Sequence, residues 1–333
     1  MSVLLEATGL AVEYHRRGGP TVRAVDGVDL RLNRGEILGL VGESGCGKST
    51  LGRAVVGLLP AAAGEIRFAG HPVAPLGRRR RPRQLRGLQM VFQDPYASLN
   101  PRRRVGEQIA DGYLLGGVAR AETVRRTGEL LERVGLAADA ASRYPHEFSG
   151  GQRQRIAIAR ALATDPSCII ADEPISALDA SAQASVANLL VALVRELDMG
   201  MVFISHDLSV VRQIADRTAV MYLGRVVEVG PTQQLWSAPA HPYTRALIAA
   251  VPRADGAGVL PVELPGDVPD PARPPTGCRF HPRCPLARPE CVRHDPPLVA
   301  LSGDRAAACV LQNAGEPARP LGELDPAASP AQK

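Results

Sequence analysis

Residues Gly42-Glu43-Ser44-Gly45-Cys46-Gly47-Lys48-Ser49 follow the pattern G-x-x-x-x-G-K-[ST], a loop that cradles phosphates. The N–H groups of Gly45 to Ser49 gather at the head of a helix, where partial positive charge favours an anion. Gly42, Gly45 and Gly47 allow the tight backbone path around the phosphates. Lys48 suits a bridge between β- and γ-phosphates, the Ser49 hydroxyl suits one Mg²⁺ position, and Thr50 completes the set. Lysine and arginine together number 39, yet only Lys48 and Lys333 are lysine. An arginine-dominated chain thus carries lysine where a compact point charge fits under the loop and a planar guanidinium does not. The same loop serves kinases and GTPases, so alone it signals only a nucleoside triphosphate.

Four further groups narrow the chemistry. The apolar run Ile169–Ala171 ends in Asp172-Glu173, two carboxylates at the carboxyl end of an expected strand. Asp172 is expected to reach the magnesium shell, and Glu173 to polarise the water that attacks the γ-phosphate. Gln93 follows the apolar run Leu88–Phe92 and offers an amide that can touch metal or water without titrating. His206 follows Met201–Ser205 and can donate to the γ-phosphate. Ser149-Gly150-Gly151-Gln152 opens a helix running through Arg153–Ala163, a second set of free N–H groups aimed at an anion. Two anion-binding helix heads in one chain need two phosphate sites or one shared site. A site shared between two chains resolves the count.

The elements that must hold these groups read as an α/β fold. Leu4–Tyr14 and Arg23–Leu32 alternate apolar and polar residues, predicting antiparallel strands. Glu36–Val41 is an apolar strand feeding the glycine loop, and Lys48–Val56 starts a helix, the context that the loop motif requires. Glu65–Ala69 and Leu88–Phe92 read as further strands, and Pro101–Arg143 changes to helical spacing. Cys168–Ala171 and Met201–Ser205 read as buried parallel strands around a helix over Ser181–Leu197. Thr218–Tyr222 and Arg225–Val229 read as a hairpin around Gly224. Beyond about residue 250 the composition shifts: Arg253–Gly277 is a Pro/Gly-rich linker, Cys278 to Cys309 a cysteine-bearing module, and 313–333 a disordered tail.

At 333 residues, 45% of them hydrophobic, the chain can bury a core in two to three domains. The start Met1-Ser2-Val3-Leu4-Leu5-Glu6 is unlike a signal peptide, and no run approaches the roughly 18 apolar residues of a membrane span. A cytosolic protein is expected, reaching a membrane only through partners. The net charge of +5 is concentrated in Arg78–Arg81 with Arg83 and Arg86, and in Arg102–Arg104. No aromatic residues interleave these runs as stacking platforms, so they read as solvated loops and not as a nucleic-acid surface.

Taken together, these groups resemble the ATP-binding-cassette (ABC) family over residues 3–250. Gly42–Ser49 matches its Walker A loop, Gln93 its Q-loop and Phe148–Gln152 its signature, with Phe in place of the more usual Leu. Ile169–Glu173 matches Walker B, Ser176-Ala177-Leu178-Asp179 the D-loop, His206 the switch histidine, and Tyr14 the aromatic that stacks on adenine. The resemblance implies a P-loop NTPase cassette over 1–252 with an antiparallel β-subdomain and a helical subdomain near 95–165. It further implies ATP and Mg²⁺ held between two cassettes closing head to tail, with motion passed to permeases through Asp94–Pro101. Finer features are similar to the oligopeptide and dipeptide importer ATPases: Val91 to Pro101, His241-Pro242-Tyr243-Thr244 with Leu247, and Gly277 to Pro285 in an extension over 253–312. That likeness implies a peripheral subunit at the cytoplasmic face of the inner membrane. It would work with a second cassette, identical or related, with two permease subunits and with an extracytoplasmic binding protein, and without direct nucleic acid. Nickel, glutathione or an oligosaccharide are alternative cargoes, and a soluble cassette ATPase acting on nucleic acid or the ribosome is the competing class. Cys278, Cys284, Cys291 and Cys309 lack a C-x₂₋₄-C zinc knuckle, and a cytosolic chain disfavours disulfides. Members of the resembling branch carry a [4Fe–4S] cluster at such positions, so a cluster is the favoured expectation, with zinc and free thiols as the alternatives.

Overall fold

Polar–apolar alternation over the first thirty residues produces two long strands, β1 (Val3–Tyr14) and β2 (Val22–Asn33), paired antiparallel. The five-residue run that follows is buried at every position, as a strand covered on both faces must be, and forms β3 (Ile37–Val41). It leads through the glycine loop into α1 (Lys48–Val55). The structure, a computed structural model, describes residues 2–15, 18–77, 81–252 and 266–313. Arg78, Arg79 and Arg80 of the first basic run, the linker over 253–265 and the tail over 314–333 lie outside the described residues.

Beyond α1 come β4 (Ala63–Phe68) and β5 (His71–Pro72), which complete a four-stranded antiparallel sheet in the order β2-β1-β4-β5. Then β6 (Leu88–Val91) enters the main sheet. The helical stretch follows: α2 (Pro95–Ser98), α3 (Val105–Gly116), α4 (Arg120–Arg133) and α5 (Gly150–Leu162). The chain returns to the sheet at β7 (Cys168–Asp172), then runs through α6 (Ala180–Glu196), β8 (Gly200–Ile204), α7 (Leu208–Ile214), β9 (Arg217–Tyr222) and β10 (Arg225–Pro231). Two short helices, α8 (Thr232–Ser237) and α9 (Pro242–Ala249), precede the linker. After it lie α10 (Pro289–Arg293), β11 (Val299–Ala300), β12 (Ala306–Ala307) and α11 (Val310–Asn313).

The main sheet has the order β11-β12-β10-β9-β3-β8-β7-β6. Within it β9, β3, β8, β7 and β6 run parallel, so their carboxyl ends share one edge. In open α/β sheets that edge is where ligands bind. The four-stranded sheet packs with α1 on one face of the main sheet, burying Leu5, Leu10 and Leu32 with Leu40, Leu51 and Ile204. Helices α3 to α6 cover the other face, with Ile109, Leu131, Ile158 and Leu190 against Ile169, Met201 and Phe203.

Two features went beyond the sequence expectations. The strands β11 and β12 of the C-terminal module add to the main sheet through β10, pairing Glu228 with Ala307 and Val229 with Ala306. Two arginines of the second basic run make internal contacts. The Arg103 guanidinium donates to both oxygens of Asp111 at 2.7 and 3.1 Å, and Arg104 lies over the Tyr144 ring. From the first run, Arg86 donates to the Leu115 carbonyl at 2.6 Å.

Candidate active site

Four neighbouring parallel strands deliver the site residues to one edge. Strand β3 ends at the glycine loop, β8 at Ser205 and His206, β7 at Asp172 and Glu173, and β6 just before Gln93. The loop folds as its glycines require. Gly42, Gly45 and Gly47 all take positive φ, and a Cβ at Gly42 or Gly47 would come within 2.1 Å of the Met221 or Ala24 carbonyl oxygen. Around Gly45 a Cβ would meet nothing within 4 Å, so there only the left-handed backbone asks for glycine.

Lys48 is buried, and its ammonium donates to the Gly42 and Glu43 carbonyls at 2.8 and 3.0 Å. One residue on, the Ser49 hydroxyl donates to Asp172 Oδ1 at 2.6 Å. Asp172 is fully buried, and its Oδ2 has no hydrogen-bond partner. The nearest cation, the Arg53 guanidinium, stays 3.9 Å away. Burial pushes the Asp172 carboxyl above its usual range, against the opposing pull of the Ser49 hydroxyl and Arg53. An orphaned, buried carboxylate oxygen beside a serine hydroxyl is the donor set that suits a hard dication taking oxygen ligands, so the residues fit Mg²⁺.

Asp172 and Glu173 are consecutive yet face different partners. Asp172 remains in the ladder opposite Ile204, whereas Glu173 leaves the strand with φ +46, its N–H bonded to the Ile204 carbonyl at 3.0 Å. A left-handed glutamate at the end of a strand stores strain of about 1–2 kcal/mol, which the surrounding contacts must hold. The turn brings Glu173 Oε2 to the Gln93 amide, which donates at 3.2 Å, and to His206 Nδ1 at 3.1 Å. Glu173, Gln93 and His206, named separately from sequence, therefore converge on one carboxylate oxygen. His206 remains largely exposed, open to a second partner through its other ring nitrogen.

Tyr14 is half-exposed, and its hydroxyl lies 3.3 Å from Thr50 Oγ1, which puts the aromatic at the rim of the loop helix. Ser149, Gly150, Gly151 and Gln152 do open α5, as a capping box: Ser149 Oγ accepts from the Gln152 N–H and Gln152 Oε1 from the Ser149 N–H. Their glycines pack toward Leu178 and Ala182. Among the described residues, no hydrogen bond joins 149–152 to 42–49, Gln93, Asp172, Glu173 or His206.

For the four C-terminal cysteines the structure is less favourable. Cys278, Cys284, Cys291 and Cys309 line one small cavity, of about 10 Å³, together with Leu286, Val310 and Leu311. All are free thiols. Burial pushes Cys278 up to about 11 and Cys284 up to about 12, away from the thiolate that a metal requires. Among the described residues, no three His, Cys, Asp or Glu side chains are grouped to hold a metal ion. The iron–sulfur expectation thus has no support in this arrangement, and no chemistry is derived from it.

Two residues of the site escaped the sequence reading. The Tyr243 hydroxyl accepts from the Glu43 N–H at 2.9 Å, and Arg283 donates to both Glu43 oxygens at 2.7 and 2.9 Å. Both lie in stretches noted above for their resemblance, but nothing in spacing links position 43 to positions 243 and 283.

Comparison with known proteins agrees with the geometry. Residues 25–176 match the ABC transporter family, and residues 227–291 the oligopeptide/dipeptide transporter C-terminal region. A putative peptide import ATP-binding protein of Brucella ovis is 48% identical over 312 residues, covering 93% of this chain and 98% of that protein. The oligopeptide transport ATP-binding protein AppF of Bacillus subtilis is 48% identical over 303 residues, covering 90% and 92%. Among solved structures, cbiO1 from Clostridium perfringens, part of the ABC transporter complex cbiONQ, aligns with a TM-score of 0.61 at 28% identity, over 71% of this chain and 92% of that one. The dimeric, post-hydrolysis cassette MJ0796 bound to ADP and Pi aligns with a TM-score of 0.61 at 27% identity, over 69% and 99%. With its fold, phosphate loop and C-terminal region all in register, the chain belongs to the ABC transporter ATPases, in the group of peptide-import ATP-binding proteins.

Proposed function

We propose that this chain hydrolyses ATP to drive uptake of peptides through a membrane complex, with Glu173 as the general base. The observation that carries the catalytic part is the meeting of Gln93 and His206 on Glu173 Oε2, beside the Ser49–Asp172 pair. Lys48, with the N–H groups of Gly45 to Thr50, binds and orients the β- and γ-phosphates. Ser49 and Asp172, with Gln93 at the margin, would hold Mg²⁺, which when bound neutralises charge on the phosphate oxygens. Glu173 takes the proton of the attacking water as its oxygen bonds to the γ-phosphorus and the bond to the ADP oxygen breaks. His206 would donate to the phosphoryl group through the nitrogen not bonded to Glu173. Tyr14 offers a ring for adenine.

The head of α5 supports a second role. Ser149, Gly150, Gly151 and Gln152 present a helix N-terminus that their own chain's phosphate loop does not use, which favours a nucleotide shared with a second cassette. The cargo class rests on the relatives' names and on the C-terminal region, and with it come two permease subunits and an extracytoplasmic binding protein as partners. Among the described residues no helix is long and apolar enough to cross a membrane, so contact with the membrane would come through those permeases. Reconstitution with the permeases tests the whole reading. Peptide-loaded binding protein is expected to stimulate ATP hydrolysis in proteoliposomes and to be accompanied by peptide uptake. Stimulation by nucleic acid in salt-sensitive fashion, with no retention by permeases, would refute it.

A further inference from the structure

The phosphate loop is held from a second direction, by residues that join it from beyond position 240. Glu43 is fixed at each of its polar groups. Its N–H donates to Tyr243 Oη at 2.9 Å, and its carbonyl accepts from Lys48 at 3.0 Å and from the Cys46 N–H at 3.3 Å. Its carboxylate accepts both arms of the Arg283 guanidinium. The Tyr243 side is rigid: its ring is fully buried, and its N–H caps α9 on His241 Nδ1 at 3.0 Å. Burial pulls that imidazole down to about 3, so it stays a neutral acceptor.

Arg283 arrives on the short turn His281–Arg283, between Cys278 and Cys284. Phe280 seats this turn on the cassette, with its ring centroid 5.4 Å from Tyr222, edge-on, and 5.3 Å from Tyr243. Arg279 anchors the same segment elsewhere, on Asp26 and the Leu223 carbonyl. Arg283 is itself buried; both arms of its fork reach the Glu43 carboxylate, and Nη1 also donates to the Tyr222 hydroxyl at 3.4 Å.

We propose that Arg283 is a positioning residue for ATP binding: its paired hydrogen bonds to Glu43 hold the entry of the phosphate loop, so that nucleotide affinity depends on this one contact of the C-terminal module. This rests on the ATPase reading above. The physical need follows from Lys48. Its ammonium now bonds the Gly42 and Glu43 carbonyls, and phosphate oxygens compete for the same donors. A loop held only by that lysine would loosen as the lysine turned to its substrate. Arg283 and Tyr243 hold Glu43 independently of Lys48, so the loop stays in shape while the lysine exchanges partners. A lysine at 283 would supply charge without the planar fork.

The test uses the full chain and a fluorescent ATP analogue, with ATPase KM and kcat and a melting temperature for each variant. Arg283→Gln and Glu43→Gln should each weaken nucleotide binding and raise KM by about tenfold, as expected for loss of a charge-assisted pair. Turnover at saturating ATP should remain within about twofold, because no group on Glu173 is touched. The double variant should be no worse than either single one, since both remove the same pair. Arg283→Lys should recover part of the affinity. Arg279→Gln loosens the module at Asp26 without reaching Glu43, and should lower the melting temperature while leaving KM unchanged. A wild-type KM in Arg283→Gln would overturn the proposal. So would an equal rise in KM in Arg279→Gln, or additive effects in the double variant. Should Arg283→Gln fail to fold, Glu43→Gln breaks the same pair from the cassette side and decides the matter. Failure of the unmodified chain to bind the analogue would instead strike the ATPase reading itself.

Discussion

Glu173→Gln lowers ATP turnover by about a thousandfold while ATP affinity stays within a few-fold of wild type. The amide has the size of the carboxylate and can still accept from the Gln93 amide and from His206, which now meet Glu173 Oε2 at 3.2 and 3.1 Å. What it loses is the capacity to take a proton from water. Lys48, Ser49 and the loop N–H groups, proposed above to grip the phosphates, lie on α1 and in the loop before it and are not disturbed. Single-turnover hydrolysis measured alongside equilibrium nucleotide binding separates the two quantities. Wild-type turnover in this variant would remove Glu173 from its role, and a parallel loss of binding would make it a ligand-holding residue instead of a base.

The second large effect discriminates between glycines of the same loop. Gly47→Ala should cost about 3 kcal/mol of folding stability, combining overpacking with a left-handed backbone. Its Cβ would lie 2.1 Å from the Ala24 carbonyl oxygen and 2.9 Å from Met221 Cε, and the first of these is backbone that cannot swing aside. The loop must shift instead, taking Lys48 with it, and a displacement of about 1 Å at such a site costs roughly a hundredfold in kcat/KM. Gly45→Ala meets no atom within 4 Å, so its stability loss should stop at the backbone term of about 1–2 kcal/mol. Denaturant titration of the nucleotide-free proteins reads the difference directly. Equal losses at the two positions would show that the contact with Ala24 is not what demands glycine at 47.

Much of this architecture was legible in the residues because local signals and burial agreed. The apolar runs at 37–41, 168–171 and 200–204 read as covered strands, and each ends where a functional group begins. The helix head at Ser149 carried its own capping box. Elements held by tertiary pairing were harder to read. Strands β11 and β12, of two residues each, exist because β10 offers an edge, and no propensity announces them. The short helices α2 and α7 depend on Asp94 and Asp207 as N-caps, signals easily lost in loops. The grip of Arg283 and Tyr243 on Glu43 spans at least 200 positions and has no periodicity to betray it. Cysteine spacing says less. It gives the number of thiols and the chain between them, whereas ligation depends on distances, and the four thiols gather at one cavity without forming a metal-holding group among the described residues.

The central claim is that ATP is shared, gripped by the phosphate loop of one chain and the Ser149–Gln152 helix head of another. Sedimentation of Glu173→Gln with and without Mg-ATP tests it most directly, with Gly150→Asp added as a second substitution. A carboxylate at the first turn of α5 suits that helix within its own chain but repels a phosphate approaching from a neighbour. The account predicts a dimer that forms only with ATP and disappears in the double variant while each chain still binds nucleotide. A monomer saturated with ATP, or a dimer indifferent to the substitution at 150, would contradict it.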